Sequence, residues 1–137
     1  IHETQIFQNL GSYIKTDRKH LSEPVLEALE RASSITRAEC DAAIKTRDEA
    51  IEFFENLFLE FDAIITPAAL GEAPLLSQQT TGNPVCCTIW SLVGVPCITL
   101  PVLSGTNGLP IGVQFVGKYA DDENLIETSK WFLDILG

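Results

Sequence analysis

The chain has 137 residues, 45% apolar and 20% charged, with 19 acidic against 9 basic side chains and a formal net charge of -10. That length and apolar fraction allow one domain with a core of its own and exclude a disordered chain. The acidic excess argues against nucleic acid and anionic membranes as partners, which need a basic face. No apolar run approaches the roughly 20 residues that span a bilayer.

Neither a secretory leader nor a transit peptide is expected from the pattern of the first residues. The chain holds no Met and begins at Ile1, so its start is expected to be set by processing or truncation. Residues 1–16 are weakly helical and break at Gly11. A second helix opens with Ser22 as cap and Pro24 in the first turn, and Leu21, Val25, Leu26 and Leu29 form its apolar stripe. A longer helix begins at Thr36, where Thr36 and Glu39 spell the T-x-x-E capping box. Cys40, Ile44, Ile51, Phe54 and Phe58 recur near 3.6 spacing through Glu60. Its other face, with Asp41, Lys45, Asp48, Glu49, Glu52 and Glu55, reads as solvated.

The β-branched run from Phe61 to Pro67 is expected as a buried strand. From Ala68 to Gly82 no period survives, and a long loop is expected, of the kind that borders a site. Asn83 and Pro84 then read as N-cap and first residue of a helix through Val93, closed by Gly94. That helix is apolar nearly all round and is expected to be buried. Pro96 forces extended backbone into a strand from Cys97 to Val102. A polar turn from Ser104 to Gly108 leads to a third strand, Pro110 to Val116, which can pair with the second as a hairpin. Asp121 or Asp122 caps a final helix with Leu125, Ile126, Phe132, Leu133 and Leu136 on its apolar side. The expected fold class is α/β, mainly helical over 1–60 and sheet-bearing over 61–137, with strands covered on both faces.

Catalytic patterns are scarce. The sequence has no G-x-S-x-G elbow, no G-x-x-x-x-G-K-[ST] and no G-x-G-x-x-G. The cysteines Cys40, Cys86, Cys87 and Cys97 lack C-x-x-C spacing, and His2 and His20 are remote, so neither a metal site nor a cofactor is expected. Adjacent Cys86 and Cys87 are poorly placed to bridge. All four read as reduced thiols of a cytoplasmic protein. Cys87, in a helix read as buried, is expected to be an inert core thiol. Ser91 with Lys118 or Lys130 is a conceivable pair, but both lysines sit near turns or helix surfaces. Trp90 reads as core packing or a pocket wall, and Gln114 as a side chain satisfying buried backbone or touching substrate.

Three stretches in order, FDAIITPAALGEAP, TTGNP with TIWSLVGVPCITLPV, and GLPIGVQFVGKYADDENLIETSKWF, resemble the carboxy-terminal part of amidase signature enzymes over nearly all of residues 20–137. The resemblance implies a mixed sheet between helices, an α/β/α fold of which this chain supplies one portion. It implies hydrolysis of a small-molecule amide by a Ser–cis-Ser–Lys triad with a backbone oxyanion hole. No position here matches the triad, so no catalytic residue is carried over, and the remaining amino-terminal portion of the amidase is the implied partner. The loop before Asn83 and the helix after it would border the cleft, with Cys86, Cys87 and Trp90 suited to a less polar acyl group. Amidotransferase-type relatives carry an acid near Pro84 that reads a substrate amide, where this chain has Asn83. The alternatives are a non-catalytic interaction module, whose acidic helices meet a partner, and one chain of a split amidase or amidotransferase. Strands that lack sheet neighbours imply a possible homo-oligomer.

Overall fold

The computed structural model describes residues 1–136. The chain divides into two compact units, Ile1–Asp48 and the part from Glu49 onward.

The first unit is helical. It holds α1 (His2–Leu10), α2 (Tyr13–Thr16), a 3₁₀ turn (Arg18–His20), α3 (Glu23–Ser33) and the start of α4 (Arg37–Leu57). The stripe expected on α3 is there, with Leu26, Leu29 and Ala32 buried. Helices α1 and α3 pack together, and Arg31 Nε donates to Glu3 Oε1 across them at 2.9 Å. Ser22 stands at the N-cap position of α3 in extended backbone, yet its hydroxyl makes no capping bond. The Thr36–Glu39 box forms in full. Glu39 N–H donates to Thr36 Oγ1 at 3.2 Å, and Thr36 N–H donates to Glu39 Oε2 at 2.8 Å. These bonds, the backbone one foremost, hold the Glu39 carboxyl below the usual carboxylate range.

The second unit contains the sheet. Strands β1 (Ile64–Pro67), β2 (Cys97–Ser104) and β3 (Pro110–Val116) lie in the order β1-β3-β2, both pairings antiparallel. The β2–β3 hairpin follows the sequence reading. The β1–β3 pairing, with Ile64 opposite Val116 and Thr66 opposite Gln114, joins segments that no local pattern links. The register slips between Leu100 and Leu103, at Pro101, which has no N–H to give the ladder.

Alternation along β3 sends Phe115 to one face and Val116 to the other, and both are essentially solvent-free. On the Phe115 face, Leu100 and Leu125 complete a core, with the Phe132 ring of α6 (Asp122–Leu136) tilted against Phe115, centroids 4.8 Å apart. On the Val116 face, Phe54 and Phe58 meet Trp90 and Val93 of α5 (Val85–Val93). Each fully buried side chain of this size contributes about 2–3 kcal/mol. The central strand is therefore covered on both faces, as expected, but the outer strands are not, and Ile65 on β1 is 56% exposed.

Helix α5 departs from expectation in two ways. It begins at Val85, one residue late, with Pro84 in the cap position. Asn83 still caps, through Oδ1 accepting Val85 N–H at 2.9 Å. And although α5 is apolar nearly all round, only Trp90 and Val93 are buried, because it lays a single stripe on the sheet and α4, leaving Val85, Ile89 and Leu92 open. Gly94 closes it as read, at φ 77°, with its N–H on Trp90 O at 2.9 Å.

Candidate cleft wall around the first turn of α5

The Val116 face of the sheet carries a buried polar junction. Gln114 is its hub. It is 3% exposed, and a buried carboxamide needs partners for two donors and two lone pairs. Gln114 Nε2 donates to Cys86 O at 3.3 Å and to Thr66 Oγ1 at 3.4 Å. Its Oε1 accepts the Cys87 S–H at 3.8 Å, which Cys87 shares with Ala68 O at 3.5 Å. One side chain thus ties β1, β3 and the first turn of α5. Two residues earlier, Gly112 keeps the floor low. A Cβ there would run into the Thr99 methyl and stand 3.0 Å from the Ala68 Cβ.

The three candidate binding residues are placed differently. Cys86 is half-buried, with its carbonyl held by Gln114. Cys87 is exposed. Trp90 turns inward and meets Phe54 edge-on, centroids 5.2 Å apart, so Cys86 and Cys87 share the Gln114 hub while Trp90 backs the helix from the core. Cys87 touches two carbonyl-type oxygens, which accept a hydrogen bond but cannot carry off its proton, so this arrangement gives the thiol no general base. Partial burial, and then the neighbouring Cys87, push the Cys97 thiol above its ordinary value.

The long loop after β1 is tied down by a residue the sequence reading passed over. Glu72 accepts Asn107 N–H at 2.9 Å, Leu109 N–H at 3.0 Å and Asn107 Nδ2–H at 2.5 Å. The Asn107 side chain foremost, joined by the two backbone donors, holds the Glu72 carboxyl below the usual range against the opposing effect of burial. The carboxylate reaches them because residue 105 is Gly, where a Cβ would collide with the Glu72 side chain. The one available signal was an acid in the loop facing a G-T-N-G turn rich in free N–H groups, and 35 residues separate them. Among the described residues, no group of three or more His, Cys, Asp or Glu side chains is placed to hold a metal ion.

The sequence model of the amidase family matches residues 3–126. The chain belongs to the amidase family. It is similar to a glutamyl-tRNA(Gln) amidotransferase subunit of Rubrobacter xylanophilus, 35% identical over 95 residues, which span 64% of this chain and 19% of that one. It is likewise similar to the mitochondrial counterparts of that protein from Anopheles gambiae, 29% identical over 97 residues (65% and 20%), and from Homo sapiens, 32% over 99 residues (66% and 19%). The chain thus spans about a fifth of the length of these curated relatives. Its fold matches a crystal structure of an amidase with TM-score 0.85 at 22% identity, over 98% of this chain and 33% of that one. It also matches the Kluyveromyces lactis allophanate hydrolase, with TM-score 0.72 at 18% identity over 90% of this chain and 22% of the other. The α/β class read from the sequence holds, as does the family.

Proposed function

We propose that this chain is the sheet and cleft-wall portion of an enzyme that hydrolyses a carboxylic amide to an acid and ammonia or an amine. The attacking serine, the bridging serine and the lysine are supplied by polypeptide outside residues 1–137. One observation carries this reading: the family match runs through residues 3–126, while no stretch of the sequence supplies a serine–lysine pattern or a Gly/Ser-rich oxyanion loop. In this reading Cys87 and Cys86 face the acyl group, with Trp90 as their apolar backing, and the substrate is a small-molecule amide of modest polarity. The four unpaired thiols suit a reducing compartment, and the cytoplasm is the proposed location. A second form of the same reading makes this chain one member of a multi-chain enzyme, which is favoured by relatives that are named as amidotransferase subunits.

The test is a fluorophosphonate probe applied to the longest polypeptide encoded around this segment, alongside residues 1–137 alone. The expected result is a labelled serine outside residues 1–137 and no carboxamide turnover by the isolated chain. A labelled serine within 1–137, or enzymatic turnover by this chain alone, refutes the proposal.

A further inference from the structure

We propose that Gln114 is the positioning residue of the cleft wall. It sets where the Cys86–Cys87 turn stands on the sheet and acts on substrate through that turn, without touching it. The assignment rests on the amide-hydrolase reading for its purpose, but its geometry stands on this chain alone.

The first turn of α5 has few other ties. It follows directly on the irregular stretch from Ala68. Apart from the Cys87 S–H, which also reaches Ala68 O at 3.5 Å, its own bonds are local ones: Val85 N–H on Asn83 Oδ1, Cys87 and Thr88 N–H on Pro84 O, and Thr88 Oγ1 on Pro84 O. Local bonds give the turn its shape but do not say where on the sheet it sits. Apolar contact does not settle this either, since the residues α5 buries, Trp90 and Val93, lie in its second half. The Gln114 carboxamide registers the main chain of the turn on the sheet, which the Cys87–Ala68 bond does not. It catches a main-chain carbonyl and the adjacent thiol, Cys86 O and Cys87 S–H, while its second donor holds Thr66 on β1. Gln114 is the one polar side chain on β3 and is buried in its most solvent-free stretch, next to Phe115 and Val116. A buried amide retained there for no purpose costs desolvation that an apolar residue avoids. Carboxamide chemistry is needed because the turn offers one acceptor and one donor side by side. A carboxylate has no proton for Cys86 O, and an aliphatic residue answers neither.

The experiment is native-state hydrogen exchange on the full 137-residue chain, with Gln114→Leu and Gln114→Glu. In Gln114→Leu the amides of the first half of α5 should exchange about tenfold faster, with the β2–β3 ladder amides little changed. In Gln114→Glu the same amides should be loosened while the carboxylate is ionised. They should recover as the pH, corrected for intrinsic exchange, falls through its titration and returns a donor to Cys86 O. The Leu variant should show no such recovery. Thr66→Val, which removes only the β1 partner, should leave α5 protected, and it keeps the test open if Gln114→Leu does not fold. Uniform loosening of sheet and helix, an unchanged α5, or identical pH behaviour of the Glu and Leu variants each overturns the assignment. These outcomes are separable from failure of the amidase reading, because a fluorophosphonate-labelled serine inside residues 1–137 leaves the exchange pattern of α5 untouched.

Discussion

The two units of the chain solve the same problem with different means. Up to Asp48, helices bury three small or medium side chains, Leu26, Leu29 and Ala32, and take further support from exposed ion pairs such as Arg31–Glu3 and from the Thr36–Glu39 box. Exposed pairs of that kind contribute about 0–1 kcal/mol each. From Glu49 onward, a three-stranded sheet is filled from both faces by aromatic and branched residues, and Phe115 and Val116 are essentially sealed. The difference teaches where each unit is vulnerable. The first stands on one thin apolar seam, and the second on a central strand whose last three residues, Gln114 to Val116, are buried.

The hardest blow to that contrast is Phe115→Ala. It should cost the second unit about 3–5 kcal/mol, read as a lower denaturant midpoint, with exchange accelerated through β3 and α6 and the α1–α3 amides spared. Leu29→Ala, at a side chain with no exposure, should cost the first unit about 2–4 kcal/mol and leave the sheet amides protected. Equal spread of either loss across both units would show that the division has no energetic meaning. Gly112→Ala should cost about 1–3 kcal/mol, because Thr99 must move aside, and Gly112→Ala with Thr99→Ser should recover part of it.

The smallest effect is a pH dependence confined to the Glu72 clasp. Its carboxyl lies below the usual range in the folded chain, so the clasp adds stability above the unfolded-state pKa and loses it as the pH falls through the folded value. Amide chemical shifts of Asn107 and Leu109 should follow that titration, and Glu72→Gln should abolish it.

What the sequence revealed tracks how local each cause is. Thr36 and Glu39 lie three residues apart, and Gly94 answers a carbonyl four residues back, so both were legible. The β2–β3 hairpin was legible because its turn is short. The Thr66–Gln114 pairing spans 48 residues and the Glu72–Asn107 clasp 35, and nothing in composition or period reports such distances. The apolar circumference of α5 was read as all-round burial, but a hydrophobic pattern records what can be covered, and these residues cover one stripe. At the candidate site, the residue types at Cys86, Cys87 and Gln114 were visible and their junction was not. Trp90 showed its core character in sequence, and Phe54 supplies the partner.

The Glu72 clasp also constrains how this family member can diverge. One carboxylate spans two peptide N–H groups and a side-chain amide with no slack. Adding or deleting a residue at the hairpin tip would carry those donors out of reach unless the facing loop changed length to match. The two segments are therefore expected to be inherited, trimmed and extended as a pair.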